Sequence, residues 1–505
     1  MSWLPVVLWL LPARAGLTLW LVPGTSRAWR PLALLCALAE LALALILLKI
    51  TAGGTVLVHA FGGWQPPFGI VFAADRLSAL LVLLNALLLT VTLWGLRPEL
   101  HGRRTVERAA PLLFLLSSGL VGAFQTGDLF NLFVAFEVVL LASYALLQVP
   151  GTERSRRAAF PNIAINLLAS LFFFVGVAVL YGRLGTVNLA DVATQLAGSP
   201  TPVETVAIWL LAVAFGIKAG LVPLLFWLPA SYPTTSGPIA AFFAGMMTKL
   251  GVFALLRLVP LLAMAPWVSQ TLVWVGVASA LVGGLAALSE LELRRLLGFH
   301  IVSQVGYMVL GLGLLTTGAV AAAIFYLGHH ILVKATLFCV ADELERRNGS
   351  RDLRAMALSG TARAALAILF LAAAFSLAGL PPFSGFFAKL GLFHATFAAA
   401  AWAPLAALAI ASVFTLASML KIWRLAFADT AEPRPADPPA TPRRVGRAPS
   451  LAPLWVLVAA SIALALLAGP SFRFAEATAR QLLSPPSQVM AVASPDSTPG
   501  EVPRP

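Results

Sequence analysis

Fourteen apolar runs, most of them close to twenty residues long, follow one another along this 505-residue chain. They fall at about 3–22, 32–50, 76–96, 109–126, 128–149, 161–182, 206–229, 237–259, 269–289, 296–316, 319–341, 363–396, 403–427 and 452–470. About twenty apolar residues in a helix span the ~30 Å hydrocarbon core of a bilayer. In lipid every backbone N–H and C=O must be satisfied internally, which leaves helices or closed barrels. Barrel strands would read as alternating segments of about ten residues, whereas these runs are continuous. Only 11% of the residues are charged and 60% are hydrophobic, against about 25% charged in a soluble domain. The expectation is an all-α, polytopic membrane protein with about fourteen transmembrane helices and no soluble catalytic domain.

Loop charge orients the spans. The net charge of +13 resembles a nucleic-acid signature, but in a membrane protein basic loops set topology, so no nucleic-acid partner is expected. With the N-terminus outside, the inner loops hold 21 arginines and the outer side six. This asymmetry supports a multi-pass protein of the cell membrane with both termini on the exterior side. The first span lacks a basic region before it and a clean cleavage site, so it reads as retained. The 363–396 run is too long for one straight span. It contains Gly379, Pro381, Pro382 and Gly385 and reads as one broken helix.

Residues 429–450 form a Pro/Arg-rich cytoplasmic linker, and 484–505 a disordered tail. Cys36 and Cys339 are far apart in apolar runs and read as small core residues. The six histidines make no HExxH or His/Cys cluster, so neither a metal site nor a bound cofactor is expected from motifs.

The lysines carry the functional signal. There are only six, against twenty-eight arginines. Lys49 and Lys421 sit near span ends, where a long side chain can reach the interface. Lys218, Lys249, Lys334 and Lys389 lie inside apolar runs: FGIKAGLVP, GMMTKLGVF, HHILVKATLF and SGFFAKLGLF. Arginine stays charged in proteins, whereas burial can bring a lysine near neutral titration. Four charged, unpaired lysines would cost roughly 10–14 kcal/mol on insertion scales, comparable to a whole protein's net stability. Mid-span carboxylates are scarce: Glu137, in NLFVAFEVVLLASY, and Glu40, in CALAELALAL. Two acids cannot neutralise four lysines, so some of the lysines are expected to rest neutral. Each lysine taken alone can also be a structural residue satisfied by a neighbouring carbonyl.

Local spacing adds detail. Pro223 removes a helical hydrogen bond to the carbonyl of residue 219, which predicts a loosened turn with free carbonyls beside Lys218. Pro381 and Pro382 predict the same before Lys389. His330 and Lys334 are four apart and share a helix face, while His329 is rotated about 100° away from His330. Both histidines can extend a proton path or serve in helix packing. Tyr144 shares the face of Glu137, with core packing as its default role. AGLVP (219–223) matches AGLPP (378–382), a hint of repeated units that each carry a broken helix. Asp128 and Asn131, three apart near a span start, can touch a cation or form a helix cap.

These segments resemble the antiporter-like subunits shared by Mrp-type multisubunit cation/proton antiporters and respiratory complex I. The resemblance covers about residues 65–425. It rests on ADRLSALLVLLN (74–85), TGDLFNLFVAFEVVLLASYALL (126–147), FGIKAGLVPLLFWLPASYPTTSGPIAAFFAGMMTKLGVFALLR (215–257), IVSQVGYMVLGLG (301–313), GHHILVKATLF (328–338) and SLAGLPPFSGFFAKLGLF (376–393). The GDLFNLFV segment and the overall length look most like the D-type Mrp subunits. The resemblance implies two inverted five-helix repeats with broken helices. On it the chain divides into N-terminal helices (1–108), a first repeat (109–260), a second repeat (261–428), and a linker, last helix and tail (429–505). The family's proton-relay positions fall on Glu137, Lys218, Lys249, His329, His330, Lys334 and Lys389.

The function the resemblance implies is a subunit of a multisubunit monovalent cation/proton antiporter, with Na⁺ as the cation by family analogy. It would assemble with other membrane subunits, move H⁺ and a monovalent cation, and be a secondary transporter subunit rather than an enzyme. The alternative is a proton-pumping membrane subunit of a complex I-like oxidoreductase, with its redox centres in other chains. A passive scaffold is disfavoured by the buried lysines.

Overall fold

The computed structural model describes residues 2–22, 29–64, 68–356, 362–428 and 451–484. The linker at 429–450, the tail beyond residue 484 and Arg27 lie outside the described residues. The rest is almost wholly helical, and each apolar run of the sequence coincides with a helix or a helix pair. In order these are α1 (Leu4–Leu21), α2 (Trp29–Thr51), α3 (Arg76–Gly95), α4 (Pro98–His101), α5 (Arg103–Gln125), α6 (Leu129–Gln148) and α7 (Glu153–Leu184). Then come α8 (Leu189–Leu196), α9 (Pro202–Ala219), α10 (Trp227–Ser231), α11 (Gly237–Arg257), α12 (Val259–Ala263), α13 (Pro266–Ser289) and α14 (Leu293–Gly313). The chain continues through α15 (Thr317–Asn348), α16 (Ala362–Ala378), α17 (Ser384–Ala398), α18 (Trp402–Trp423), α19 (Ala452–Leu466) and α20 (Ala468–Leu483). Among the described residues, twelve helices are long and apolar enough to cross a bilayer, or thirteen with the bent pair α19–α20. The broken run α16–α17 adds a further interrupted crossing.

Polar residues at the ends tell the helices where to stop. Asp75 caps α3 by accepting from Ser78 N (2.9 Å), and Thr152 closes a capping box with Ser155 at α7. Such caps satisfy N–H groups that the first turn leaves unpaired. Helix α15 has 32 residues, about 48 Å at 1.5 Å per residue. It therefore outreaches a ~30 Å hydrocarbon core, and its excess carries Glu343, Glu345, Arg346 and Arg347. A short antiparallel hairpin, β1 (Leu57–Ala60) with β2 (Val71–Ala74), pairs Leu57 with Ala74 and leads into α3.

The helices are not equally buried. Every residue of α11 from Gly237 to Leu256 is buried, and α14 and α15 are nearly as enclosed. Helices α2, α6, α7 and α18 leave apolar faces exposed, including Leu45, Leu141, Leu171 and Val413. Small residues set the closest approaches. A Cβ on Gly251 of α11 would sit 2.7 Å from Phe215 O and 2.5 Å from Ala219 N of α9, so only glycine lets these backbones meet.

The two AGLxP segments end their helices alike. Gly220 (φ 82°) follows α9 and Gly379 (φ 87°) follows α16. Leu221 N reaches back to Gly216 O, and Leu380 N to Phe375 O, each at 3.0 Å. Gly220 N bonds Ile217 O (3.0 Å) and Gly379 N bonds Ser376 O (3.1 Å). Both are left-handed glycine terminations, which glycine reaches without a Cβ penalty. The expected break within 363–396 is therefore present, and the expected 206–229 span is also interrupted, at Ala219. The last run differs from the single span expected at 452–470. Helix continues to Leu483 with an 80° bend between α19 and α20.

Candidate functional site

All four mid-span lysines are buried, and no carboxylate lies within ion-pairing distance of any of them among the described residues. They divide among three polar clusters inside an apolar bundle.

The first cluster joins α6, α7 and α9. Ser170 Oγ donates to Glu137 Oε1 (2.5 Å) and accepts from Lys218 Nζ (3.1 Å). One hydroxyl, which carries a single proton and two lone pairs, thus links the carboxylate to the amine in a continuous donor chain. Phe136 lies beneath the amine, 5.1 Å from its ring centre. Phe136, Phe173 and Phe215 pack edge to face or stacked around it. The loosened turn expected beside Lys218 does exist, but the lysine does not use it. Ile217 O instead accepts from Trp227 Nε1 at 3.2 Å.

The second cluster lies where α11, α14 and α15 meet. Lys249 Nζ donates to Ala244 O (2.5 Å) and Thr248 Oγ1 (3.2 Å). Lys334 Nζ reaches Leu297 O of α14 at 3.3 Å. His330 is fully buried, and neither ring nitrogen has a hydrogen-bond partner, although both lysines lie within its electrostatic reach. The α9–α11 contact at Gly251 brings the Lys218 turn against the Lys249 turn.

The third cluster surrounds the break between α16 and α17. His329 Nδ1 bonds Ser384 Oγ (2.9 Å), which also bonds Ser376 Oγ (3.0 Å) and Ser461 Oγ of α19 (3.1 Å). Lys389 Nζ donates to Ala378 O, the last carbonyl of α16, at 2.9 Å, and lies over the Tyr307 ring. Here the free carbonyl expected beside a broken helix is used. Consecutive histidines on α15 thus face different clusters, as the 100° rotation requires.

Sequence reasoning missed several polar neighbours. Ser170 is the central one. Beyond it, Tyr326 OH donates to Gln304 Oε1, Gln304 Nε2 donates to Thr415 Oγ1 (3.2 Å), and His300 Nε2 bonds Ser418 Oγ (2.6 Å). Hydroxyl and amide side chains are common in spans, and nothing in their spacing marks these.

Lys421 behaves differently. Its Nζ bonds the carbonyls of Ala287, Leu288 and Glu290 at 3.3, 2.7 and 2.6 Å. All three ammonium donors are matched at the C-terminal end of α13, a favoured place for a cation. Among the described residues Lys218, Lys334 and Lys389 each have one acceptor, a hydroxyl for Lys218 and a carbonyl for the other two, and Lys249 has one of each. Asp128 and Asn131 are engaged locally. Asp128 Oδ1 accepts from Asn131 N (2.7 Å), and Asn131 Nδ2 donates to Thr126 Oγ1 (2.9 Å). Burial pushes the Asp128 carboxyl up from its ordinary range.

The D-type subunit of the Na⁺/H⁺ antiporter from Alkalihalophilus pseudofirmus is 40% identical over 441 residues, covering 86% of this chain and 88% of that one. A chain in the structure of the Mrp complex from Dietzia is 33% identical, with a TM-score of 0.87 over 97% of this chain and 99% of that one. A chain of respiratory complex I from Thermus thermophilus is 26% identical, with a TM-score of 0.78 over 95% and 100%. Residues 126–415, which carry the four mid-span lysines, match the family model described as NADH:quinone oxidoreductase/Mrp antiporter, TM, and the chain belongs to that family.

Proposed function

We propose that this chain is the proton-moving D-type component of a multisubunit monovalent cation/proton antiporter. The observation that carries the reading is the Glu137–Ser170–Lys218 chain. A proton can pass between amine and carboxylate through the hydroxyl, and the carboxylate favours the charged form of the amine. Movement of Glu137 away from Ser170 would release that preference. The proton then passes to Lys249, and through His330 and Lys334 to the His329 hydroxyl cluster and Lys389. The amines have too few acceptors for a full ammonium, which fits groups that rest neutral and charge in turn. The cation is Na⁺, as in the name of the Alkalihalophilus relative. The other subunits of the complex bury the apolar faces of the outer helices and complete the cation path. Asp128 and Asn131 serve as cap and turn rather than as a cation cage.

The test is cation-dependent proton transport in inverted vesicles that hold the chain with its operon partners. Lys218→Arg keeps a charge that cannot be released and should abolish antiport without loss of assembly. Antiport near the wild-type rate in that variant would overturn the relay. Proton movement that follows quinone reduction and ignores the cation would favour the redox-driven alternative.

A further inference from the structure

Outside the lysine clusters, one carboxylate is fully enclosed at mid-bundle among the described residues. Glu40 is the twelfth of the 23 residues of α2 and is fully buried. Its Oε1 accepts from Asn85 Nδ2 of α3 (3.1 Å) and from Ser117 Oγ of α5 (2.9 Å), while Asn85 Nδ2 also reaches Ser117 Oγ (2.6 Å). Two oxygens of this cluster, Glu40 Oε2 and Asn85 Oδ1, are buried with no hydrogen-bond partner. No basic side chain pairs with Glu40 among the described residues. A bare carboxylate held by two neutral donors in an apolar interior costs several kcal/mol. An added proton removes the buried charge and makes the acid a donor among orphan acceptors, because a carboxylic acid can donate where a carboxylate can only accept.

We propose that Glu40, with Asn85 and Ser117, forms a second proton-binding site, separate from the lysine file. Cys36, one turn earlier on α2, is the titratable group in its electrostatic reach. Arg14 of α1 is exposed, and the charged residues of α3 and α5, from Arg76 to Arg108, lie in or near their first turns. Lys249 of α11 and Lys334 of α15 belong to helices packed on the neighbouring face of α3. There Leu88 faces Gly245 and Leu84 faces Gly328, rotated about 60° and 100° from Asn85, which faces Glu40. The helix that holds Glu40 through Asn85 thus also packs against the helices of the central lysines. Loading or emptying the acid changes the charge they face. In this the site deepens the antiport reading, on which its place in the cycle rests.

Infrared difference spectroscopy of the whole complex in liposomes, stepped in pH without Na⁺, tests the site apart from transport. A protonated-carboxyl band should titrate in the wild type, vanish in Glu40→Gln and shift in Ser117→Ala. It should persist in Lys218→Arg, so failure of the relay would not remove it. Identical wild-type and Glu40→Gln spectra would overturn the site, as would a Glu40 band that ignores pH. The Ser117→Ala shift keeps the test sound if Glu40→Gln fails to assemble.

Discussion

Lys389 holds the end of the broken helix that precedes it: its amine bonds Ala378 O across the break at 2.9 Å. The fit is tight, because a Cβ on Gly379 would lie 2.7 Å from the Lys389 Cδ. The glycine also needs its positive φ. Gly379→Ala should therefore cost on the order of 1 kcal/mol from backbone strain and push the lysine off its carbonyl. The expected outcome is a lower melting temperature of the complex together with slowed proton transport. Wild-type values for both would show that the break does not position Lys389.

A second tether lies at the end of the bundle. Arg257 of α11 grips Asp75 through both guanidinium ends, at 2.5 and 2.8 Å, and Ser78 Oγ at 2.7 Å. Burial alone would raise the Asp75 carboxyl. Arg257 and the Ser78 N–H outweigh it and hold the group below the usual carboxylate range. A depressed carboxylate contributes stability above its unfolded value, about 3.9, and loses it as pH falls through the lower folded value. Asp75→Asn should destabilise the protein by about 3–5 kcal/mol near neutrality, since it strands a largely buried guanidinium. In thermal unfolding across pH, that gap should be constant from neutrality down to about pH 5 and should close in stronger acid. A gap that widened in acid would assign the stability to another group.

Arg294, at the start of α14, anchors the segment that follows α10. Its guanidinium bonds Thr235 O (2.7 Å), Asp342 Oδ1 (2.6 Å) and Glu345 Oε2 (3.0 Å). Asp342 Oδ1 in turn accepts from Gly237 N at the start of α11 (3.0 Å). Three residues on, Leu297 presents the carbonyl that receives Lys334. Arg294→Met removes the nearest cation from both acids and leaves them only His101 (3.5 Å from Asp342) and Arg351 (3.8 Å from Glu345), so the cost falls toward the low end of the about 3–5 kcal/mol of a broken buried pair. Loss of assembled complex is the expected readout, with Arg294→Lys intermediate because it lacks the planar fork.

The parts of this architecture that are legible in the sequence have strong local causes. Spans show as apolar runs because lipid demands them, and the breaks at Gly220 and Gly379 show as Gly and Pro in otherwise apolar segments. The lysines stand out because basic loops could be built from arginine alone. What stays hidden depends on contacts between helices. Ser170 is one hydroxyl in a span rich in small residues, and only the meeting of α6, α7 and α9 gives it two ionisable partners. Ser384 and Ser461 are 77 residues apart. Helix α20 is not legible as a helix because Arg473, Glu476 and Arg480 break its apolar pattern, although Phe472 stacks on Phe325 of α15 at 4.2 Å.

Ser170 is also where the relay can be tested with the smallest change. Ser170→Ala removes one oxygen from a buried position and leaves Glu137 and Lys218 without their shared partner. A hydrogen bond to a charged group is worth about 1.5–3 kcal/mol, which in a rate-limiting proton step is roughly a 10- to 100-fold loss. Ser170→Thr keeps the hydroxyl and should restore most of the rate. Ser170→Cys offers only a weak donor and acceptor and should fall between them. A purely structural role would lower the amount of assembled complex and its melting temperature, whereas the relay predicts slowed proton uptake per assembled complex as well. Equal transport in Ser170→Ala and wild type would mean that Glu137 and Lys218 communicate without the hydroxyl between them.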